Sequence, residues 1–110
     1  MEFDVKKQGS TVILKLKERK LDTSVSAELK GEFLLLCTPE LKELILDLSQ
    51  VEFCDSSGLS ALLIAERKMR ENDGVVKLAG LHKKVLSLIQ ISHLDRAFQI
   101  YPTVTKATKA

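Results

Sequence analysis

Apolar and polar residues alternate in two short segments near the start of the chain. Phe3 to Lys7 forms the first segment and Thr11 to Lys17 the second, and Lys7-Gln8-Gly9-Ser10 supplies turn-forming residues between them. A period of two is typical of a strand with one buried face, and a short polar connection favours antiparallel pairing. The pattern predicts a β-hairpin.

The spacing of apolar residues then changes to that of a helix. Val25, Leu29, Phe33 and Leu36 recur every three or four positions, which predicts one buried helical face running to about Cys37. Asp22-Thr23-Ser24 can cap the beginning of this helix. Pro39 follows its end and prevents its continuation.

Strands and helices alternate through the rest of the chain. The aliphatic run Leu44–Leu48 predicts a central strand buried on both faces, followed by a loop at Val51-Glu52-Phe53. The remaining predicted elements are a helix from the serine pair at 56–57 to about Asn72, a strand at Val75–Ala79, a helix at Lys83–Ile91, a strand at Ala97–Tyr101 and a short terminal helix opened by Pro102. The order ββαβαβαβα indicates an α/β fold with a mostly parallel sheet of four or five strands.

Composition and charge limit the classes of protein to which this chain can belong. The 110 residues are enough for one domain, which we place at residues 1–110, and the net charge of +2 comes from interspersed lysines and glutamates. That distribution disfavours a nucleic-acid partner. The sequence has no secretory signal and no apolar run near the roughly 20 residues of a membrane span. We therefore expect a cytoplasmic chain with no membrane partner, a monomer by default.

The cysteine spacing argues against a metal site, and the absence of phosphate-loop motifs argues against a bound nucleotide. Cys37 and Cys54 lie in apolar surroundings and are expected to be buried, reduced thiols. Neither belongs to a CxxC or Cys/His pattern, so we predict no metal site. The sequence contains neither GxxxxGK[ST] nor GxGxxG, so we predict no bound nucleotide cofactor by either device.

The stretch CDSSGLSALL, Cys54 to Leu63, carries the chain's most distinctive chemistry. Asp55, Ser56 and Ser57 are all good helix-capping residues, but one cap explains only one of them. Gly58 in a first helical turn costs roughly 0.8–1 kcal/mol relative to alanine, which indicates that a sheet or a partner approaches the backbone there. The serines could cap the helix, act as nucleophiles or accept a modification.

The nucleophile interpretation lacks its supporting groups. The stretch does not have the first glycine of G-x-S-x-G, and no motif places His82 or His93 as a general base. A modification is better supported, because a phosphate at a helix N-terminus meets backbone N–H groups and a favourable dipole. It would change the surface charge there by about −1.5 to −2.

A helical wheel places two apolar groups on this helix. Small and apolar residues that would pack on the sheet share one arc, namely Gly58, Ala61, Leu62, Ala65 and Met69. Leu59, Leu63 and Ile64 fall outside that arc. They would form a docking patch beside the serines, or else neighbouring elements bury them.

The stretch DLSQVEFCDSSGLSALL, Asp47 to Leu63, resembles the signature of STAS domains, in particular the bacterial anti-sigma factor antagonists. The leading hairpin, Leu21-Asp22 and the late ISHLD stretch, Ile91 to Asp95, fall in the order expected of that family. The resemblance implies the STAS fold and a partner-switching protein that is not an enzyme. Such a protein binds an anti-sigma factor that is also a serine kinase and carries the ATP, and a separate serine phosphatase reverses the phosphorylation.

The resemblance also assigns residues. Ser56 corresponds to the phosphoacceptor, and the partner-binding surface would comprise Asp22, Asp55, Ser56, Ser57, Gly58, Leu59 and Leu63. Two departures from the family pattern are visible. No glycine lies shortly before Leu21-Asp22, where residues 17–20 form a basic stretch instead, and Ser60 stands where glycine is common. The alternatives are a STAS module that senses a nucleotide or small ligand, or a structural adaptor, without phosphorylation.

Overall fold

The predicted hairpin and the alternating strands and helices are all present. The computed structural model describes Met1–Ala110. Its elements are β1 (Phe3–Gln8), β2 (Thr11–Leu16), β3 (Lys20–Leu21), α1 (Thr23–Leu36), β4 (Glu43–Asp47), β5 (Phe53–Cys54), α2 (Ser56–Glu71), β6 (Val75–Ala79), α3 (Lys83–Ile91), β7 (Gln99–Tyr101) and α4 (Val104–Lys109).

Five of the strands form the main sheet, in the order β1-β2-β4-β6-β7. β1 and β2 are antiparallel, and the other neighbours are parallel. This arrangement confirms the predicted α/β class with an antiparallel leading hairpin. The carboxyl ends of β2, β4 and β6 therefore lie along one edge of the sheet, where loops can build a site.

The two faces of the sheet are covered unequally. Leu44 and Leu46 of β4 point to one face and belong to the large apolar core that includes Leu29 and Phe33 of α1. Ile45, between them, points to the far face, where it packs with Ala107 of α4. All three β4 side chains are buried, which confirms the predicted central strand and follows from the alternation of side chains along a strand.

A second, two-stranded sheet lies outside the main one. β3 and β5 pair in parallel, with Leu21 opposite Cys54 and Lys20 opposite Phe53. The backbone N–H groups of Glu52 and Phe53 both donate to the carbonyl oxygen of Arg19, at 2.8 and 3.2 Å. The loop predicted at residues 51–53 is therefore wrong at Phe53, which lies in a strand.

The last strand and helix are shorter than predicted. β7 begins at Gln99 and not at Ala97, because residues 95–97 form a turn. α4 begins at Val104, and the hydroxyl of Thr103 caps it by accepting from the backbone N–H of Lys106 at 3.2 Å. Pro102 therefore precedes the capping residue and does not open the helix, because the Thr103 hydroxyl can satisfy an N–H group that proline cannot.

None of the helices has the combination of length and apolar character that crossing a membrane requires.

Candidate functional site

Asp55 forms the cap of α2 and organises the DSSGL stretch. Its Oδ1 accepts hydrogen bonds from the backbone N–H of Ser57 at 3.0 Å and of Gly58 at 3.1 Å, and from the Ser57 hydroxyl at 2.6 Å. These bonds favour the ionised carboxylate and lower the pKa of Asp55, the Ser57 hydroxyl contributing most. The cap predicted from the sequence is therefore present, and it uses Asp55 rather than a serine.

The two adjacent serines are in different situations. The hydroxyl of Ser57 is held by the Asp55 carboxylate, and its side chain is half-buried. Ser56 is the first residue of α2, it is exposed, and the Asp55 carboxylate accepts no hydrogen bond from it. Ser60, one turn further along, is also exposed. Of the two serines next to Asp55, Ser56 offers its hydroxyl to an incoming molecule.

Asp22 repeats the same arrangement at the start of α1. Its Oδ1 accepts from the backbone N–H of Ser24 at 3.0 Å and from the Ser24 hydroxyl at 2.6 Å. The hydroxyl bond is the main cause that lowers the pKa of Asp22, while the charge of Asp55 acts in the opposite direction. The two carboxylates are therefore close enough to repel each other.

Pairing of β3 with β5 brings these two helix starts together. Leu21 lies opposite Cys54, so Asp22 and Asp55 each follow one member of the pair. The backbone N–H of Asp55 also donates to the carbonyl oxygen of Leu21 at 3.2 Å. The pattern of the sequence predicted Thr11–Lys17 as the strand before Asp22, but Asp22 directly follows the short strand β3.

Gly58 lies directly against β3. A Cβ atom at this position would collide with the carbonyl oxygen of Leu21, and it would lie 2.7 Å from Leu21 Cγ and 2.8 Å from Cys54 Sγ. The glycine therefore allows α2 to approach the small sheet, as the sequence indicated. The close neighbour is the chain's own backbone.

The apolar residues of α2 are more buried than the helical wheel predicted. Gly58, Ala61, Leu62, Ala65 and Met69 are buried, which confirms the predicted arc. Leu59 was predicted outside that arc, but it is only 7% exposed and joins the cluster that includes Val85 of α3. The wheel considered only the sheet, whereas α2 also packs against α1. Leu63 is partly buried against the same core, so the motif's leucines do not form an open patch.

Both cysteines are buried free thiols, as predicted. Burial is the main cause that raises the pKa of Cys37 to about 11 and that of Cys54 to about 12. A thiol with such a pKa remains protonated near neutral pH and is a poor nucleophile.

The histidines are not joined to the serines. His82 and His93 are exposed, and His82 Nε2 lies 2.6 Å from the carbonyl oxygen of Ser49. Neither is hydrogen-bonded to Ser56 or Ser57, so no base–nucleophile pair is formed. No group of three or more His, Cys, Asp or Glu side chains could hold a metal ion.

Sequence reasoning missed one feature beside the site, which is a surface groove bordered by β3 and β5. Phe53 is 49% exposed in this groove, and Lys20, Ser24 and Lys84 also line it. No sequence pattern marks it, because Phe53 and Cys54 are both apolar and a two-residue strand is too short to show a period.

Comparison with protein families identifies the class to which this site belongs. The family model for the STAS domain matches residues 2–107. The chain therefore belongs to the STAS domain family, as the DSSGL stretch and the order of the elements indicated.

Solved structures share the fold over nearly the whole chain. A candidate anti-sigma factor antagonist from Thermotoga maritima is 25% identical, with a TM-score of 0.86 over 97% of this chain and 92% of that one. The anti-sigma factor antagonist SpoIIAA, unphosphorylated, is 20% identical with a TM-score of 0.84, over 98% of this chain and 94% of that one. In its phosphorylated form, described as a Bacillus cell fate determinant, it is 19% identical with a TM-score of 0.78, over 98% and 97%.

The fold also occurs in another functional setting. A sulfate transporter family protein from Wolinella succinogenes is 18% identical, with a TM-score of 0.78 over 89% of this chain and 81% of that one. The fold alone therefore does not separate these functions, and the residues of the site must do so.

Proposed function

We propose that this chain is an anti-sigma factor antagonist that is released from its partner by phosphorylation of Ser56. The observation that carries the proposal is the exposed Ser56 at the first position of α2, beside a cap that leaves its hydroxyl free. The similarity to SpoIIAA, known in unphosphorylated and phosphorylated forms, supports it. The chain binds and is modified, and it performs no chemistry itself.

The environment of Ser56 suits a reversible phosphate. Backbone N–H groups and the dipole at a helix start favour a negative charge. Asp55 and Asp22 oppose it, because a phosphate would add about −1.5 to −2 next to two ionised carboxylates. The fold therefore tolerates a phosphate on Ser56, and the phosphorylated site presents a strong negative charge to a partner.

That charge is large enough to release a partner. One like-charge contact at ~4 Å and an effective dielectric constant of ~20 costs about 4 kcal/mol. This corresponds to roughly a thousandfold in affinity. A single phosphate facing an acidic group of the partner would convert tight binding into negligible binding.

The proposed partner is an anti-sigma factor with serine kinase activity, which supplies the ATP in the cytoplasm, and a serine phosphatase restores the binding form. Asp22, Asp55 and Ser57 hold the surface around Ser56. Gly58 sets the closeness of α2 to β3, and Leu59 and Leu63 support the helix from beneath. Gly58, Leu59 and Leu63 would therefore contribute to partner binding by shaping the surface around Ser56.

A phosphorylation assay tests the acceptor. The chain is incubated with its cognate kinase and ATP, and the modified peptide is identified by mass spectrometry. We expect phosphate on Ser56, its loss in Ser56→Ala, and its retention in Ser57→Ala and Ser60→Ala. Phosphate that persists in Ser56→Ala and disappears in Ser60→Ala would contradict the assignment.

A ligand sensor that works without phosphorylation is the competing function. A thermal-shift series with ATP and GTP in the absence of kinase separates the two. We expect no shift of the melting temperature, whereas a large shift with either nucleotide would favour the sensor.

A further inference from the structure

The groove beside the candidate phosphoacceptor has a definite orientation relative to the small sheet. β3 and β5 place Leu21 and Cys54 on the buried side, and both side chains are less than a tenth exposed. Their neighbours Lys20 and Phe53 are also opposite each other, and they point to the solvent side because side chains alternate along a strand. We call this surface, with Arg19, Ser24 and Lys84, the Phe53 groove.

Two of the four basic side chains in the Phe53 groove already have acidic partners, and two lysines do not. Arg19 binds both carboxylate oxygens of Glu52, at 3.1 and 3.3 Å. Lys17 binds Asp4 at 2.9 Å. Lys20 and Lys84 form no ion pair, and both are exposed. They are available to bind carboxylates of another molecule.

Phe53 supplies the apolar part of the surface. It is the one hydrophobic side chain that lines the groove, and half of it remains exposed although the nearby Cys54 and Leu59 are buried. Aromatic residues, including phenylalanine, are enriched at protein–protein interfaces relative to the rest of a protein surface.

The groove is continuous with the Ser56 site. Ser24, which lines the groove, donates its hydroxyl to Asp22 at 2.6 Å. Phe53 is separated from Asp55 only by Cys54. A partner that covers Ser56 would therefore extend over this surface.

We propose that the Phe53 groove binds an acidic segment of the partner protein, with carboxylates at Lys20 and Lys84 and an apolar side chain on Phe53. This inference deepens the proposed function and rests on it for the identity of the partner. It also gives a role to the basic stretch at residues 17–20, which replaces the glycine common before the Leu-Asp pair of the family.

A protein segment fits this surface better than a nucleotide does. Glu2, Glu18 and Glu52 line the same groove, and only Glu52 among them is paired with a basic side chain. A polyphosphate would meet these carboxylates at close range and be repelled. A peptide chain can place its carboxylates at the two free lysines and turn other groups toward the glutamates.

The experiment measures binding of the purified kinase that phosphorylates Ser56, by calorimetry, to the wild type and to charge-reversed variants. We expect Lys20→Glu/Lys84→Glu to weaken binding by at least about tenfold, and Phe53→Ala by about tenfold. A matched control is Lys6→Glu/Lys106→Glu, which makes the same charge change at exposed, unpaired lysines. Lys6 lies opposite Ile13 in the register of β1 and β2, and Lys106 lies on α4. Both lysines are on the far face of the sheet. We expect the control to bind within about twofold of the wild type.

A second probe works without the kinase. A short synthetic peptide of alternating glutamate and leucine is titrated into the isotope-labelled chain, and a lysine–leucine peptide serves as its control. We expect the amide NMR signals of Lys20, Phe53 and Lys84 to move with the acidic peptide only, and to move less in Lys20→Glu/Lys84→Glu.

The outcomes separate this inference from the proposed function. If Ser56→Asp releases the kinase while Lys20→Glu/Lys84→Glu binds it normally, the groove proposal is overturned and the switch stands. If no kinase modifies Ser56 but the acidic peptide moves the groove signals, the switch fails and the groove stands as an acidic-segment site. Signals that move instead with ATP or GTP, or equally with the basic peptide, would overturn the groove proposal.

Discussion

The α-carbon of Gly58 faces the carbonyl oxygen of Leu21 at a distance that leaves no space for a side chain. A methyl group there would have to displace backbone of β3, and a backbone atom cannot move aside as a flexible side chain can. The residue therefore couples the start of α2 to the strand that precedes Asp22.

Substitution of Gly58 by alanine is expected to destabilise the protein. Alanine is favoured in a helix by roughly 0.8–1 kcal/mol over glycine. The collision outweighs this gain, and we expect the free energy of unfolding to fall by about 1–3 kcal/mol. Gly31→Ala in α1 is the matched control, because nothing lies within 4 Å of a Cβ atom there. It should be stabilising in the same urea titration, and a stabilised Gly58→Ala would contradict the packing described.

The two capping aspartates make stability depend on pH. Their folded pKa values lie below the ordinary value of 3.8, because Ser24 and Ser57 donate to them. A lowered folded pKa contributes stability above the unfolded pKa, and this contribution is lost as the pH falls through the folded value. Asparagine caps a helix as well but does not titrate. We expect Asp22→Asn/Asp55→Asn to lose less stability than the wild type between about pH 5 and about pH 3. Parallel urea midpoints for the two proteins would contradict this.

At the scale of elements, the sequence pattern predicted every long strand and helix but neither β3 nor β5. Six-residue strands show the period of two, and helices of nine or more residues show their own period. A two-residue strand such as Lys20–Leu21 shows no period at all. Its existence depends on pairing with residues more than thirty positions away. β5 is equally short. The sequence therefore did not indicate that Phe53 lies on a strand beside the candidates Asp22 and Ser56.

α4 is held to the far face of the sheet by a buried lysine. Lys77 is 3% exposed, and its ammonium group binds Glu43 at 3.1 Å and the carbonyl oxygens of Ala107 at 2.8 Å and Ala110 at 3.3 Å. All three of its donors are thus satisfied near the end of α4. The sequence did not indicate that a lysine within a central strand would hold α4 to the sheet.

Removing the Lys77 side chain is expected to release α4. Lys77→Ala leaves Glu43 and the α4 carbonyl groups without their donor, and we expect the free energy of unfolding to fall by about 3 kcal/mol. Hydrogen exchange of the α4 amides should accelerate more than that of β4. The double variant Lys77→Met/Glu43→Gln, which removes both charges and keeps the volume, should lie closer to the wild type. Unchanged exchange in α4 would show that the lysine does not hold the helix.

At the scale of the whole molecule, alternation of strands and helices determines where the site can form. Parallel strands place their carboxyl ends at one edge of the sheet, and the chain continues from the carboxyl ends of β2 and β4 into β3 and β5, which Asp22 and Asp55 follow. The fold class and these candidates were predictable because they depend on long periodic elements and one short motif. The sequence left open whether Leu59 is exposed or buried by neighbouring elements, because a single helical wheel does not contain those elements, and the structure buries it in the main core.

We propose that a charge on Ser56 acts on the partner and not on the fold. The most direct test is the dissociation constant for the purified kinase, measured for wild type, Ser56→Ala, Ser56→Asp and Ser60→Asp, with urea unfolding of each. We predict that Ser56→Asp weakens binding by more than about a hundredfold while its stability stays within about 0.5 kcal/mol of the wild type, whereas Ser56→Ala and Ser60→Asp still bind. Unchanged binding by a folded Ser56→Asp protein would contradict the account.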